Sequence, residues 1–166
     1  MFIDSDSADL IYQTHQFDDV RSVYVETVFT AINSYGYMFI FSINNNNNSS
    51  SWLGIGRNNS SGKLHVTYGG GGNGWIDSTT SIPLELNTNY KIGIAVSSSG
   101  GVICVNGNTY TVSTSYNLKN TSQYDLYIGG SWRQRTDGQR NMRGYVKNLK
   151  LYDKTLTSEE LIQLTS

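Results

Sequence analysis

The residue types best suited to chemistry in this chain are gathered in one short stretch, Gly130–Asn141 (GSWRQRTDGQRN). It holds Trp132, Arg133, Gln134, Arg135, Asp137, Gln139 and Arg140, in a chain where only 15% of residues are charged. A flat aromatic ring stacks on the C–H faces of a sugar, and fixed donors and acceptors read its hydroxyls. Arg133 and Arg135 add forked guanidinium donors suited to acidic sugars or phosphorylated polymers. The pattern points to carbohydrate recognition, with Trp132, Arg133, Arg135, Asp137 and Gln139 as candidate contacts. Trp52, Trp75 and Arg57 are secondary candidates, for which packing is the competing role. For the whole stretch the alternative is a solvated loop whose Trp132 covers the edge of the core.

Residues for bond breaking are absent by the same reading. A retaining glycoside hydrolase needs two carboxyls about 5 Å apart across one sugar bond, which alternate positions on a strand can supply. The acids in expected strands are Glu26 and Asp125, far apart in the chain; Asp77 and Glu85 fall in turns, and Glu159 and Glu160 at a helix start. His15 and His65 lack the surroundings of a Ser-His-Asp arrangement, and neither has Cys or His neighbours at metal spacing. Gly69–Gly74 (GGGGNG) lacks the strand, helix and Lys-Ser/Thr of a phosphate cradle. Asp4, Asp6, Asp9, Asp18 and Asp19 do not follow the spacing of an EF-hand loop and read as a solvated acidic approach to the first strands. Neither catalysis nor a cofactor is expected. A calcium site using Asp77, Asp137 or backbone carbonyls stays open.

The bulk properties fit a recognition module. A length of 166 residues is one domain, residues 1–166, with room for a full core. The net charge of −1 argues against nucleic acid or an anionic membrane as the main partner. Asn, Ser, Thr, Gly and Tyr dominate, a composition of strands, turns and hydroxyl- and amide-rich surface. The single cysteine, Cys104, excludes an intrachain disulfide and reads as a small core residue. No signal-like apolar region follows Met1, and no apolar run is long enough to span a bilayer. Release by lysis or with a particle, or excision from a longer chain, is the expectation.

The elements that must position these residues are strands. Val20–Ala31 alternates, and Gly36–Ile43 is apolar on both sides, as a strand covered on both faces would be. Residues 44–51 (NNNNNSSS) read as a loop. Trp52–Asn58 and Lys63–Tyr68 form a hairpin around residues 59–62, with Leu53, Ile55, Leu64, Val66 and Tyr68 inward and Trp52, Lys63, His65 and Thr67 outward. Short strands begin at Trp75 and at Ile82, and Pro83 puts the second at an edge or a strand start. Asn89–Val96 turns back through Val102–Val105, and Asn106-Gly107 then turns into Thr109–Ser113. In Tyr124–Ile128, Leu126 and Ile128 share a face. Met142, Gly144 and Val146 are out of phase by one residue with Leu149 and Leu151, so a β-bulge at Lys147-Asn148 is required to bring all five to one side. Thr157 and Glu160 form a capping box for a closing helix with Leu161, Ile162 and Leu164 on its apolar edge. About a dozen short strands and one terminal helix predict an all-β, two-sheet antiparallel jelly roll.

The C-terminal pattern resembles a known family. Ile-Gly-Gly, a loop, then Gly144, Val146, Leu149, Leu151, Tyr152, Leu156 and Glu160 is similar to the end of laminin-G-like domains of the concanavalin-A-like lectin/glucanase superfamily. Residues 89–96 and 102–107, closing on Asn106-Gly107, resemble the family's central strand pair. The resemblance implies the jelly roll and a function among lectins, adhesion modules, glycanases and virion proteins. Glycanases of this fold carry acids on one strand in an order close to Glu-x-Asp-x-x-Glu, a pattern missing here. Many laminin-G-like sequences place Asp after the Val146 position; Lys147 stands there in this chain, and a cation does not ligate calcium. The expected function is non-catalytic binding of a cell-surface or extracellular polysaccharide, at the cell exterior or on a virion, in a phage tail, virion appendage or bacterial surface protein. No membrane insertion is expected, and the molecule is compatible with a homo-oligomer or a larger assembly. The alternatives are a structural virion or decoration module and a divergent glycoside hydrolase.

Overall fold

The computed structural model describes residues 2–3, 10–12, 20–33, 36–45, 51–68, 76–97, 100–112, 124–130 and 141–166. For residues 2–3, 10–12, 44–45, 51–52, 68, 76–79, 112 and 124–125 it describes the backbone alone. Two sheets of six strands face each other. Sheet 1 comprises β1 (Phe2–Ile3), β3 (Ser22–Phe29), β8 (Asn89–Ser97), β9 (Gly100–Val105), β10 (Asn108–Val112) and β12 (Gly144–Tyr152), in the spatial order β1-β12-β3-β8-β9-β10. Sheet 2 comprises β2 (Leu10–Tyr12), β4 (Tyr37–Asn45), β5 (Ser51–Asn58), β6 (Lys63–Tyr68), β7 (Ile76–Pro83) and β11 (Tyr124–Ile128), in the order β2-β11-β4-β5-β6-β7. Neighbouring strands are antiparallel throughout. This is the expected jelly-roll sandwich.

Alternation sets the core. Val23, Val25, Phe29, Ile92, Ile94, Ile103 and Val146 point in from sheet 1; Met38, Ile40, Phe41, Ile43, Leu53, Ile55, Leu64, Val66 and Leu126 meet them from sheet 2. Burying each such side chain contributes about 1.5–3 kcal/mol. Strand β4 is buried from Met38 to Ile43, as a strand covered on both sides must be. Ile40 and Phe41 both enter the core because the register of β4 on β5 shifts between Phe39 and Phe41. The expected bulge in β12 is present: Lys147 pairs with Glu26 and Lys150 with Tyr24, so β12 spends one extra residue there. Leu149 and Leu151 consequently pack on the same core as Val146.

Helix α1 (Ser158–Thr165) opens with the expected capping box and lies on the outer face of sheet 1. Leu161 packs there with Ala95, Cys104 and Leu156. Gly93 makes this approach possible, since a Cβ on it would sit 2.9 Å from Leu161 Cδ2. The apolar edge differs from the expectation in one place. Ile162 is exposed, and Thr165 is buried instead, because its hydroxyl bonds back to Leu161 O at 2.8 Å.

Two further expectations are corrected. Residues 76–83 form one edge strand rather than two, with Pro83 at its end, where the missing N–H costs little. Asp77 therefore lies in a strand opposite Thr67, not in a turn.

Candidate functional site

The stretch that carries most candidate residues leaves and re-enters the fold through a closed neck. Met142 N donates to Gly129 O at 2.9 Å, and Gly129 N donates to Ile40 O at 2.7 Å. Ser42 Oγ donates to Gly130 O at 2.9 Å, and Asn141 forms a parallel bridge with Phe39. Gly129, Gly130, Asn141 and Met142 are all buried. Gly129 has φ 81°, a conformation that glycine adopts without strain. β11 thus ends at β4, and Asn141 takes its place beside the same strand. Trp132, Arg133, Arg135, Asp137 and Gln139, together with Trp75, lie outside the described residues. Trp52 is described in backbone only; it sits where the register of β4 on β5 shifts between Ile43 and Asn44.

Arg57 is a structural strut. It is 7% exposed, its Nε donates to Leu84 O at 2.8 Å, and its NH1 donates to Asn59 Oδ1 at 3.3 Å. Asn59 Nδ2 donates to Asn33 Oδ1 at 2.5 Å, and Asn33 Nδ2 donates to Asn141 O at 2.9 Å. A polar chain therefore runs from the β5–β6 turn to the neck, and fixes the neck from a second side.

Beside the neck lies the outer face of sheet 2. Cross-strand partners share a face, so Tyr127, Ser42, Gly54 and Thr67 form one row, and Phe39, Gly56 and His65 the next. Tyr37 stacks on His65 with ring centroids 4.2 Å apart, and Phe39 meets the same imidazole edge-on at 5.8 Å. Gly54 forms the floor, since a Cβ on it would lie 2.5 Å from Thr67 Oγ1 and 3.1 Å from Phe39 Cε1. His65 and Thr67 point outward as expected yet are only 1% and 3% exposed, because bulky rings close over a glycine floor. Thr67 Oγ1 is buried and makes no hydrogen bond to a described residue. The sequence signal for this face is Gly54-Ile55-Gly56, alternate glycines inside a strand, which mark a close approach.

Among the described residues, Glu26 and Glu160 have structural partners. Glu26 lies on the outer face of sheet 1, where its Oε1 accepts from Asn148 Nδ2 at 2.8 Å and from Tyr24 OH at 2.9 Å. Lys147 Nζ is 3.7 Å from Oε2. The Asn148 hydrogen bond is the main cause that holds the Glu26 carboxyl below its ordinary range, and burial above all pushes the Tyr24 phenol up to about 12. A carboxylate held ionised in this way is poorly placed to donate a proton at neutral pH. Glu160 belongs to the helix cap, where its carboxylate accepts from Thr157 N and Lys154 Nζ, each at 2.8 Å. Among the described residues no three His, Cys, Asp or Glu side chains come together as a metal-binding group, and no helix is long and apolar enough to cross a membrane.

A laminin-G-type family model, described as the concanavalin A-like lectin/glucanases superfamily, matches residues 16–162. Among curated proteins no sequence relative matches the chain. Among solved structures, the CBM40 of Ruminococcus gnavus IT-sialidase bound to α2,3-sialyllactose superposes with a TM-score of 0.70 at 15% identity, over 90% of this chain and 85% of that one. Domain 4 of AbnA, a GH43 extracellular arabinanase from Geobacillus stearothermophilus in complex with arabinotriose, gives 0.66 at 14% identity, over 89% of this chain and 67% of that one. Trypanosoma rangeli sialidase in complex with the inhibitor DANA gives 0.65 at 20% identity over 90% of this chain, which spans only 23% of the sialidase's length. At these identities the likeness is one of fold.

Proposed function

The chain belongs to the concanavalin A-like lectin/glucanases superfamily, and from that premise we propose that it is a non-catalytic carbohydrate-binding module. The observation that carries this reading is the neck at Gly129 and Met142. The residues suited to reading a sugar fall between Gly130 and Asn141, whose backbone is tied to β4 and braced by Asn33, Asn59 and Arg57. Anchored ends limit the entropy lost when the residues between them bind a ligand.

In this reading Trp132 stacks on a sugar ring, Arg133 and Arg135 hold its acidic or hydroxyl groups, and Asp137 and Gln139 accept and donate beside them. Trp52 and Trp75 are secondary contacts. Arg57 serves by bracing the neck, which accounts for its burial. Fold neighbours seen with sialyllactose and arabinotriose support a glycan as the ligand class. The setting we assign is extracellular, on a phage tail, virion appendage or bacterial surface protein. No cofactor is assigned.

A panel of immobilised glycans that includes 3′-sialyllactose and arabino-oligosaccharides tests the reading. Binding of the isolated chain to a defined subset, with the glycan recovered uncut, is the expected result. Binding to none of them, or release of shortened products, contradicts it.

A further inference from the structure

The turn that joins β9 to β10 is Asn106-Gly107, with φ of 47° and 79°. Two successive left-handed residues are what a two-residue I′ hairpin turn demands. Asn-Gly is also the dipeptide in which a backbone nitrogen most easily reaches the preceding side-chain carbonyl, because glycine has no Cβ to obstruct it. Here each reacting group has a hydrogen-bond partner elsewhere in the fold. Asn106 Oδ1 accepts from Lys91 N at 2.8 Å, which ties the amide to β8. Gly107 N donates to Thr165 Oγ1 at 3.2 Å, so the attacking nitrogen is engaged by the last turn of α1. Thr165 is buried, with its hydroxyl also 3.0 Å from Cys104 Sγ, so this partner is fixed in place. Asn106 itself is exposed, and water reaches it.

The geometry points to Asn106 as a deamidation site whose rate is governed by the docking of α1. When the helix end lifts, Gly107 N loses its proton to solvent base and forms a bond to Asn106 Cγ. The Cγ–Nδ2 bond breaks, ammonia leaves, and a five-membered succinimide closes between the two residues. Water then opens either imide C–N bond and leaves aspartate or isoaspartate at position 106. No electron acceptor or donor is needed. The isoaspartate product carries an extra main-chain methylene within a two-residue turn, where loop length sets strand register. Modification therefore shifts β10 against β9. The helix that closes the sequence acts as the guard of this hairpin.

The test holds wild type and Thr165→Val at mildly alkaline pH and follows aspartate and isoaspartate at position 106 by peptide mapping. Asn73-Gly74 in the same chain is the internal reference. Two hydrogen bonds of ordinary strength slow the folded protein by about tenfold relative to the urea-unfolded chain. Thr165→Val quickens conversion several-fold at Asn106 and leaves Asn73 unchanged. If Thr165→Val lowers the melting temperature of the whole fold, wild type alone decides: conversion at Asn106 rises with temperature in step with hydrogen exchange of the Gly107 amide. Equal rates at Asn106 in folded and unfolded chains overturn the inference. So does an unchanged rate in a stably folded Thr165→Val, or a rate independent of Gly107 exchange.

Discussion

Asn148, at φ 52° in the bulge of β12, donates its side-chain amide to Glu26 Oε1 on β3 at 2.8 Å. The extra residue that corrects the phase of β12 is thus also a residue that hydrogen-bonds the half-buried Glu26 carboxylate and favours its ionised form. Glu26→Gln should lower stability by about 1 kcal/mol at neutral pH, the difference between a charge-assisted and a neutral hydrogen bond. Since the folded-state pKa of Glu26 lies below the ordinary glutamate range, that stability is fully present above that range and is lost as pH falls through the lowered value. Urea melts of both proteins from neutral to acid pH check this: the two curves should converge at the acid end.

The bulge has its own test. Asn148→Gly keeps the left-handed backbone and loses only the hydrogen bond, whereas Asn148→Val adds a strain of about 1–2 kcal/mol. Chemical denaturation should rank wild type above Gly, and Gly above Val.

The glycine floor of sheet 2 gives an ordered pair. A Cβ on Gly56 would lie 2.3 Å from the main-chain Met38 O, while one on Gly54 meets the side-chain oxygen of Thr67 at 2.5 Å. Gly56→Ala is expected to cost about 3 kcal/mol and Gly54→Ala less, within the range of overpacking penalties. Thr67→Ala should recover part of the Gly54→Ala loss in a double-mutant cycle, read as a positive coupling in melting temperature.

At the opposite end, Thr157 Oγ1 accepts from Glu160 N at 3.2 Å to cap α1. Thr157→Ala should cost about 1 kcal/mol. The accompanying sign is faster hydrogen exchange across residues 158–165.

How much of this was legible depends on whether the signal was local. The β12 bulge could be read because two apolar runs were out of phase, and the α1 cap because Thr157 and Glu160 stand three apart. Burial of His65 and Thr67 could not, since an outward position on a strand says nothing of what closes over it. The pairing of Asp77 with Thr67, in place of the expected turn, is a tertiary choice that no local pattern carries. Ile162 looked like core by type; Thr165 displaced it because a hydroxyl bonded back to its own helix can be buried cheaply. For Arg57, weighed between sugar contact and packing, the carbonyl of Leu84 that engages it is 27 residues away and no local pattern announces it.

The most direct test is calorimetric titration of wild type, Trp132→Ala and Arg133→Ala with the glycan that binds most tightly in the panel. Recognition through the loop requires each substitution to weaken binding at least about tenfold, the effect of losing one stacking or charge-assisted contact, with melting temperatures close to wild type. Wild-type affinity in both variants, or a collapse of the fold when Trp132 is removed, would contradict it.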